Sequence, residues 1–143
     1  WQTGKLYIDD VRENLKGKNT DNLFVNDFIS RMDLAYSAAD IIISRAGAGT
    51  ISELCLVGKP CILIPSPNVS EDHQTKNAMA LVEKEAAIMI KDIDANEKLV
   101  ESTLNLLNDE STIEKLSTNI DKLKITDSAE RIVNEILKLI ENK

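Results

Sequence analysis

The chain has one histidine, two cysteines and no surplus of basic residues: Lys and Arg number 17 against 24 Asp and Glu, a net charge of −7. That balance argues against a general nucleic-acid surface, because phosphate backbones are bound through clustered Lys and Arg. Cys55 and Cys61 have no His or Cys cluster nearby, so they build neither a disulfide framework nor a zinc site. They read as reduced core residues of a cytosolic protein. His73 stands without an identified Asp or Glu partner, which is thin support for a general base. No apolar run approaches the roughly 20 residues that cross a bilayer, and no signal peptide opens the chain; it is expected to be soluble.

What is present suffices for one domain with a real core: 143 residues, 43% hydrophobic and 29% charged. The opening Trp1-Gln-Thr-Gly4, with neither an initiator Met nor a preceding strand, reads as the middle of a domain.

The most informative stretch is Asp40-Ile-Ile-Ile-Ser-Arg-Ala-Gly-Ala-Gly-Thr-Ile-Ser-Glu53. Ile41 to Ile43 form a β-branched run of the kind found in parallel strands buried on both faces. Gly47 and Gly49 permit backbone angles and a close backbone approach that a Cβ would obstruct. From about Thr50 the pattern is helical, so the free N–H groups of the first turn point back toward the glycines. With the positive end of the helix dipole they favour an anion. Gly47-Ala48-Gly49-Thr50-Ile51-Ser52 matches only part of the dinucleotide fingerprint, since Ser52 stands where a third glycine or alanine is expected. Taken alone, the glycines serve a phosphate site or a plain strand-to-helix turn equally well. Glu53 sits on the rim, and with Thr50 it also makes a partial capping box. Arg45 pairs with a phosphate or is simply a surface cation.

Coarsely, helix and strand alternate: a helix near 6–15, a strand over 23–25, a helix over 32–39, a strand over 41–43 and a helix over 50–57 closed by Gly58. A strand over 61–64, a loop at Pro65-Ser-Pro67, a helix over 72–84 and a strand over 87–90 follow. This predicts an α/β, Rossmann-like parallel sheet flanked by helices, with ligands at the carboxyl ends of the strands. The loops at 44–49 and 65–71 should then face one crevice. In the second, Asp72 or Ser70 caps a helix whose start carries His73, Gln74 and Asn77, groups able to hydrogen-bond sugar hydroxyls or, equally, water.

Residues 94–143 read as a helical tail with three apolar stripes. Leu99, Val100, Leu104 and Leu107 mark the first, and Ile113, Leu116, Ile120 and Leu123 the second. Ala129, Ile132, Val133, Ile136, Leu137 and Ile140 mark the third. Acids among their polar residues favour a core-facing role over a membrane-binding one, with the last helix packing toward a further domain or, uncovered, promoting self-association.

Several segments occur in the order found in one bacterial family. They are Trp1-Gln-Thr-Gly-Lys5, Phe28-Ile29 with Met32, Ala35-Tyr-Ser-Ala-Ala-Asp40, Ser44 to Glu53, Gly58-Lys-Pro60, Pro65-Ser-Pro67 and Asp72-His-Gln-Thr-Lys-Asn-Ala78. Over most of residues 1–90 the chain resembles the MurG family, the N-acetylglucosaminyltransferases of peptidoglycan synthesis. The tail matches in kind only. The resemblance implies the C-terminal, donor-binding half of a two-Rossmann (GT-B) glycosyltransferase that moves GlcNAc from UDP-GlcNAc to the C4 hydroxyl of the muramoyl sugar in lipid I, with inversion, giving lipid II. It implies that Ile29 meets the uracil through its backbone beside Phe28, and that residues 48–53 wrap the ribose and diphosphate. Glu53 would hold the ribose hydroxyls, Gly49 and Thr50 the phosphates, and Gln74 with His73 and Asn77 the sugar. No metal or other cofactor is implied. A second glycine loop, the acceptor domain, the membrane contact at the cytoplasmic face of the inner membrane and the catalytic base are expected upstream of Trp1. The chain alone is therefore expected to be inactive and to bind donor weakly or not at all. A donor-binding subunit of a split transferase and a UDP-sugar enzyme of the same fold, epimerase-like, are the alternatives.

Overall fold

The computed structural model describes residues 1–67 and 72–141. It comprises two compact units, residues 1–38 and the chain from Ala39 onward.

The first unit contains α1 (Ile8–Leu15) and α2 (Met32–Ala38). The strand expected over 23–25 is not formed. In its place is a single parallel bridge between Gln2 and Asn26, supported by bonds from the Thr3 N–H to the Asn26 carbonyl (2.9 Å) and from the Asn26 N–H to the Trp1 carbonyl (2.9 Å). Leu23 and Phe24 are exposed, so the segment has no apolar surface to drive a longer ladder.

The second unit is built on three parallel strands in the order β1 (Ile42–Ser44), β2 (Cys61–Leu63), β3 (Ile88–Met89). Register pairs Ile42 with Cys61 and Ser44 with Leu63, then Ile62 with Ile88 and Leu63 with Met89. Central β2 is buried at every residue, as a continuous apolar strand requires. β1 departs from expectation. It lies at an edge of this sheet, and Ile43 is 45% exposed, so only one face is covered.

Helix α3 (Ala48–Val57) follows β1 and α4 (His73–Val82) follows β2; α5 (Ala95–Leu107), α6 (Glu110–Asp121) and α7 (Ser128–Glu141) follow β3 after a 3-10 turn at Asp92–Asp94. Gly58 ends α3 with φ +69, a left-handed angle natural to glycine, and donates to the Leu54 carbonyl at 3.0 Å. The core gathers Ile62, Ile90, Leu106 and Leu116, with Ile41, Ile88, Leu99 and Ile113 against them. In α5 the inward face is therefore Leu99 and Leu106, seven residues apart, while Val100, Leu104 and Leu107 are exposed.

The third stripe of the tail is likewise not core-facing. Ile132 (62% exposed), Val133, Ile136, Leu137 and Ile140 of α7 are all open to solvent. Its amphipathic pattern specifies a helix, and nothing among the described residues covers it.

Cys55 and Cys61 are both buried and unbridged. Burial pushes the Cys61 thiol from an ordinary 9.0 up to about 12, and Cys55 adds a smaller push. The unfolded chain thus releases this proton near pH 9 while the folded chain keeps it, so stability declines as pH rises from 9 toward 12. Urea midpoints taken on either side of pH 9 should show that decline, and Cys61→Ala should flatten it. Packing gives a second contrast. Leu54 is wholly buried, so Leu54→Ala should cost about 2–5 kcal/mol in urea unfolding, whereas Ile136→Ala should change stability by no more than about 0.5 kcal/mol. Equal losses would mean that α7 is packed.

Candidate functional site: the carboxyl edge of the parallel sheet

Because the strands are parallel, their carboxyl ends share one edge, and the segments leaving Ser44, Leu63 and Met89 emerge there. Three side chains tie those segments together. The Arg45 guanidinium donates from Nη1 to the Ile64 carbonyl (3.2 Å) and the Pro65 carbonyl (3.5 Å), and the same nitrogen pairs with Asp92 beyond β3. Gln74, in the first turn of α4, accepts on Oε1 from the Ser66 N–H (2.9 Å) and the Ala46 N–H (3.2 Å). Asn77, one turn on, donates from Nδ2 to the Ala46 carbonyl (2.9 Å).

Beyond Ala46 the chain enters α3. The helix begins two residues earlier than the periodicity suggests, with Gly47 as its N-cap. No side chain caps it, so Thr50 and Glu53 do not form a capping box. The first intrahelical bond runs from the Ile51 N–H to the Gly47 carbonyl (2.9 Å). The amides of Ala48, Gly49 and Thr50 precede it and emerge from the helix start, where the dipole is positive. An anion is the natural occupant of such a position.

Gly47 has φ −64, and Gly49 is not among the positive-φ glycines, so neither is required by its backbone angles. A Cβ at Gly49 would meet no protein atom within 4 Å, and one at Gly47 would be in ordinary contact with Thr50 Oγ1 at 3.6 Å. What the pair keeps clear is space outside the fold. Gly58, by contrast, does need its left-handed angle, and a Cβ there would press on Asp121 Oδ1 at 3.3 Å.

Of the remaining candidates, Thr50 and Ile51 are half-buried, while Ser52 and Glu53 are exposed on α3, with Ser52 Oγ donating back to the Ala48 carbonyl at 3.2 Å. His73 is the exposed first residue of α4. Its N-cap is Asp72, in the left-handed region at φ 55, and the carboxylate makes no capping bond; side-chain capping calls for extended backbone at that position. Ser70 lies outside the described residues. Arg45, residues 47–53, Gln74 and Asn77 thus belong to the second unit. Phe28 and Ile29 belong to the first, where Phe28 is exposed and the Ile29 N–H is donated to Gln2 Oε1 at 2.8 Å. The first unit also carries an open depression of about 320 Å³ lined by Arg12, Leu15, Lys16, Thr20, Leu23 and Val25. None of the candidate residues lines it.

Sequence reasoning missed Asp92 as the partner of Arg45 and Gln2 as the partner of Ile29. A single acid just after a strand and a glutamine 27 residues distant leave no pattern to read.

A parallel sheet flanked by helices, with its connecting loops gathered at the carboxyl edge, defines a Rossmann-like α/β domain. The family described as glycosyltransferase family 28 C-terminal domain matches residues 1–132, and the chain belongs to it. Among curated proteins it is 55% identical over 143 residues to the UDP-N-acetylglucosamine--N-acetylmuramyl-(pentapeptide) pyrophosphoryl-undecaprenol N-acetylglucosamine transferase of Parabacteroides distasonis, covering 100% of this chain and 39% of that protein. It is 51% identical to the protein of the same name from Porphyromonas gingivalis, covering 100% and 38%. The crystal structure of Acinetobacter baumannii MurG superposes with a TM-score of 0.80 at 27% identity, over 96% of this chain and 40% of that one. The chain therefore spans about two fifths of the length of the relatives it matches. The fold and family expected from the sequence are those found.

The open space at Gly49 yields a paired prediction. Gly49→Ala should raise the stability of the unliganded chain by about 0.5–1 kcal/mol, since it adds helix propensity without a clash, and should weaken binding of a diphosphate ligand. Calorimetric melting and UDP titration of the same variant check both halves. A variant that is destabilised, or that binds as tightly as wild type, contradicts the reading.

Proposed function

We propose that this chain is the donor-binding portion of an inverting N-acetylglucosaminyltransferase, holding UDP-GlcNAc while its sugar passes to the C4 hydroxyl of the muramoyl sugar of lipid I. The observation that carries the proposal is the α3 helix start, whose Ala48, Gly49 and Thr50 amides precede the first intrahelical bond and whose entry is fixed from α4. Family membership and the names of the relatives supply the substrate class.

In this reading the diphosphate sits on the α3 helix start. As the glycosidic bond breaks, negative charge grows on the UDP leaving group, and oriented amides stabilise it without reorganising. No metal is needed for that task. Glu53 accepts hydrogen bonds from the ribose hydroxyls, Arg45 adds positive charge at the rim, and His73, Gln74 and Asn77 face the sugar. The assignment of the uracil to the Ile29 backbone and Phe28 rests on the family resemblance alone. For a base to use the Ile29 N–H, the Gln2 carboxamide must give it up. Acceptor, catalytic base and the peripheral contact with the cytoplasmic face of the inner membrane belong to other parts of the longer protein. Among the described residues, no helix is long and apolar enough to cross a membrane.

Chemical-shift mapping with UDP-GlcNAc at up to millimolar concentration tests the proposal. Saturable shifts at Gly47, Ala48, Gly49 and Thr50 are expected. Glu53→Ala should weaken binding by roughly 10–100-fold, the equivalent of one charge-assisted hydrogen bond. Shifts confined to the Arg12–Lys16 depression, or an unaltered affinity in the variant, would overturn it.

A further inference from the structure

From the capture of the Ala46 backbone on both sides of its Cα we infer that Gln74 and Asn77 are positioning residues for the anion-binding turn, acting on the phosphates through the backbone rather than on the sugar alone. The inference rests on the donor-site reading above and deepens it.

Ala46 is completely buried, so its N–H and carbonyl have no access to water and must be paired within the fold. Both are paired by side chains rather than by a neighbouring strand. Gln74 Oε1 takes the N–H and Asn77 Nδ2 gives to the carbonyl, from positions one turn apart on α4. The N–H and the carbonyl of Ala46 belong to the two successive peptide groups that flank its Cα, so holding both restrains φ and ψ at this residue. The next residue is Gly47, the N-cap of α3, which has no Cβ to restrict it and no side-chain cap to hold it. The direction of the Ala48, Gly49 and Thr50 amides is thus set by a clamp that reaches in from the following helix.

Gln74 Oε1 also accepts the Ser66 N–H, so one oxygen joins the loop after β1 to the loop after β2. With the carbonyl end of the carboxamide committed to two backbone donors, only its NH2 end can serve a ligand, and it can only donate. Gln74 can therefore meet a sugar oxygen while its other end keeps the phosphate turn in register. The family resemblance implies a sugar contact for these two residues; their hydrogen-bond partners here are all backbone atoms of the two loops.

The test separates the two roles by using UDP, which has no sugar, beside UDP-GlcNAc. Asn77→Ala and Gln74→Met should lower the affinity for UDP, and not only that for UDP-GlcNAc, by on the order of tenfold. A loss confined to UDP-GlcNAc, with UDP binding unchanged, would show sugar contact only and overturn the inference. Amide hydrogen exchange on the unliganded protein provides a readout independent of binding. The Ala46 and Ser66 amides should be protected in wild type and should lose that protection in Gln74→Met, while the Ile64 and Ile90 amides, bonded within the sheet, keep theirs. If wild type binds neither nucleotide, exchange alone decides the clamp: unchanged protection of Ala46 overturns it, selective loss upholds it.

Discussion

The arrangement of the second unit depends on the backbone of one buried residue, Ala46. Ala46 lies where β1 has ended and α3 has not begun, so neither sheet nor helix supplies partners for it, and burial forbids water from doing so. Leaving both groups unpaired would cost about 1–3 kcal/mol each. Gln74 and Asn77 remove that cost and, in doing so, dock α4 against the turn. Arg45 does the same for the next layer outward, where its guanidinium meets carbonyls after β2 and the Asp92 carboxylate after β3. A three-stranded sheet with strands of two or three residues is a slender platform, and these ties hold its carboxyl edge together.

The same constraint reconciles an acidic chain with the diphosphate proposed for it. At a net charge of −7, long-range attraction does not favour a diphosphate. Fixed backbone dipoles act only within the first turn, but they are insensitive to the overall charge and need no side chain to be organised on binding. That makes the direction of three amides the decisive quantity, and it explains why the residues that control it lie on another helix. The exposed stripe of α7 has no such internal explanation: its pattern fixes a helix, and the described residues offer it no partner.

Much of this was legible in the sequence, for identifiable reasons. Continuous β-branched and apolar runs fixed β1 and β2 to within a residue, and Gly58 marked the end of α3 because a left-handed residue there is a local requirement. The start of α3 was read two residues late because Ala48 and Gly49 carry no side chain that announces a helix. The strand over 23–25 failed because propensity without a partner surface makes no ladder. In α5 the stripe Leu99, Val100, Leu104 and Leu107 holds at Leu99 alone, because periodicity locates a stripe only to within a residue; tertiary packing turns Leu99 and Leu106 inward. The components of the candidate site were visible as Gly47, Gly49, Gln74 and Asn77. Their connections were not, since a side chain that bonds to a backbone 28 or 31 residues away leaves no spacing to recognise.

The most direct measurement is a crystal structure of the protein with UDP bound. Diphosphate oxygens should lie within about 3 Å of at least two of the Ala48, Gly49 and Thr50 amide nitrogens, with Ala46 still held by Asn77. A diphosphate held by side-chain cations alone, with those three amides turned away from it, would contradict the account.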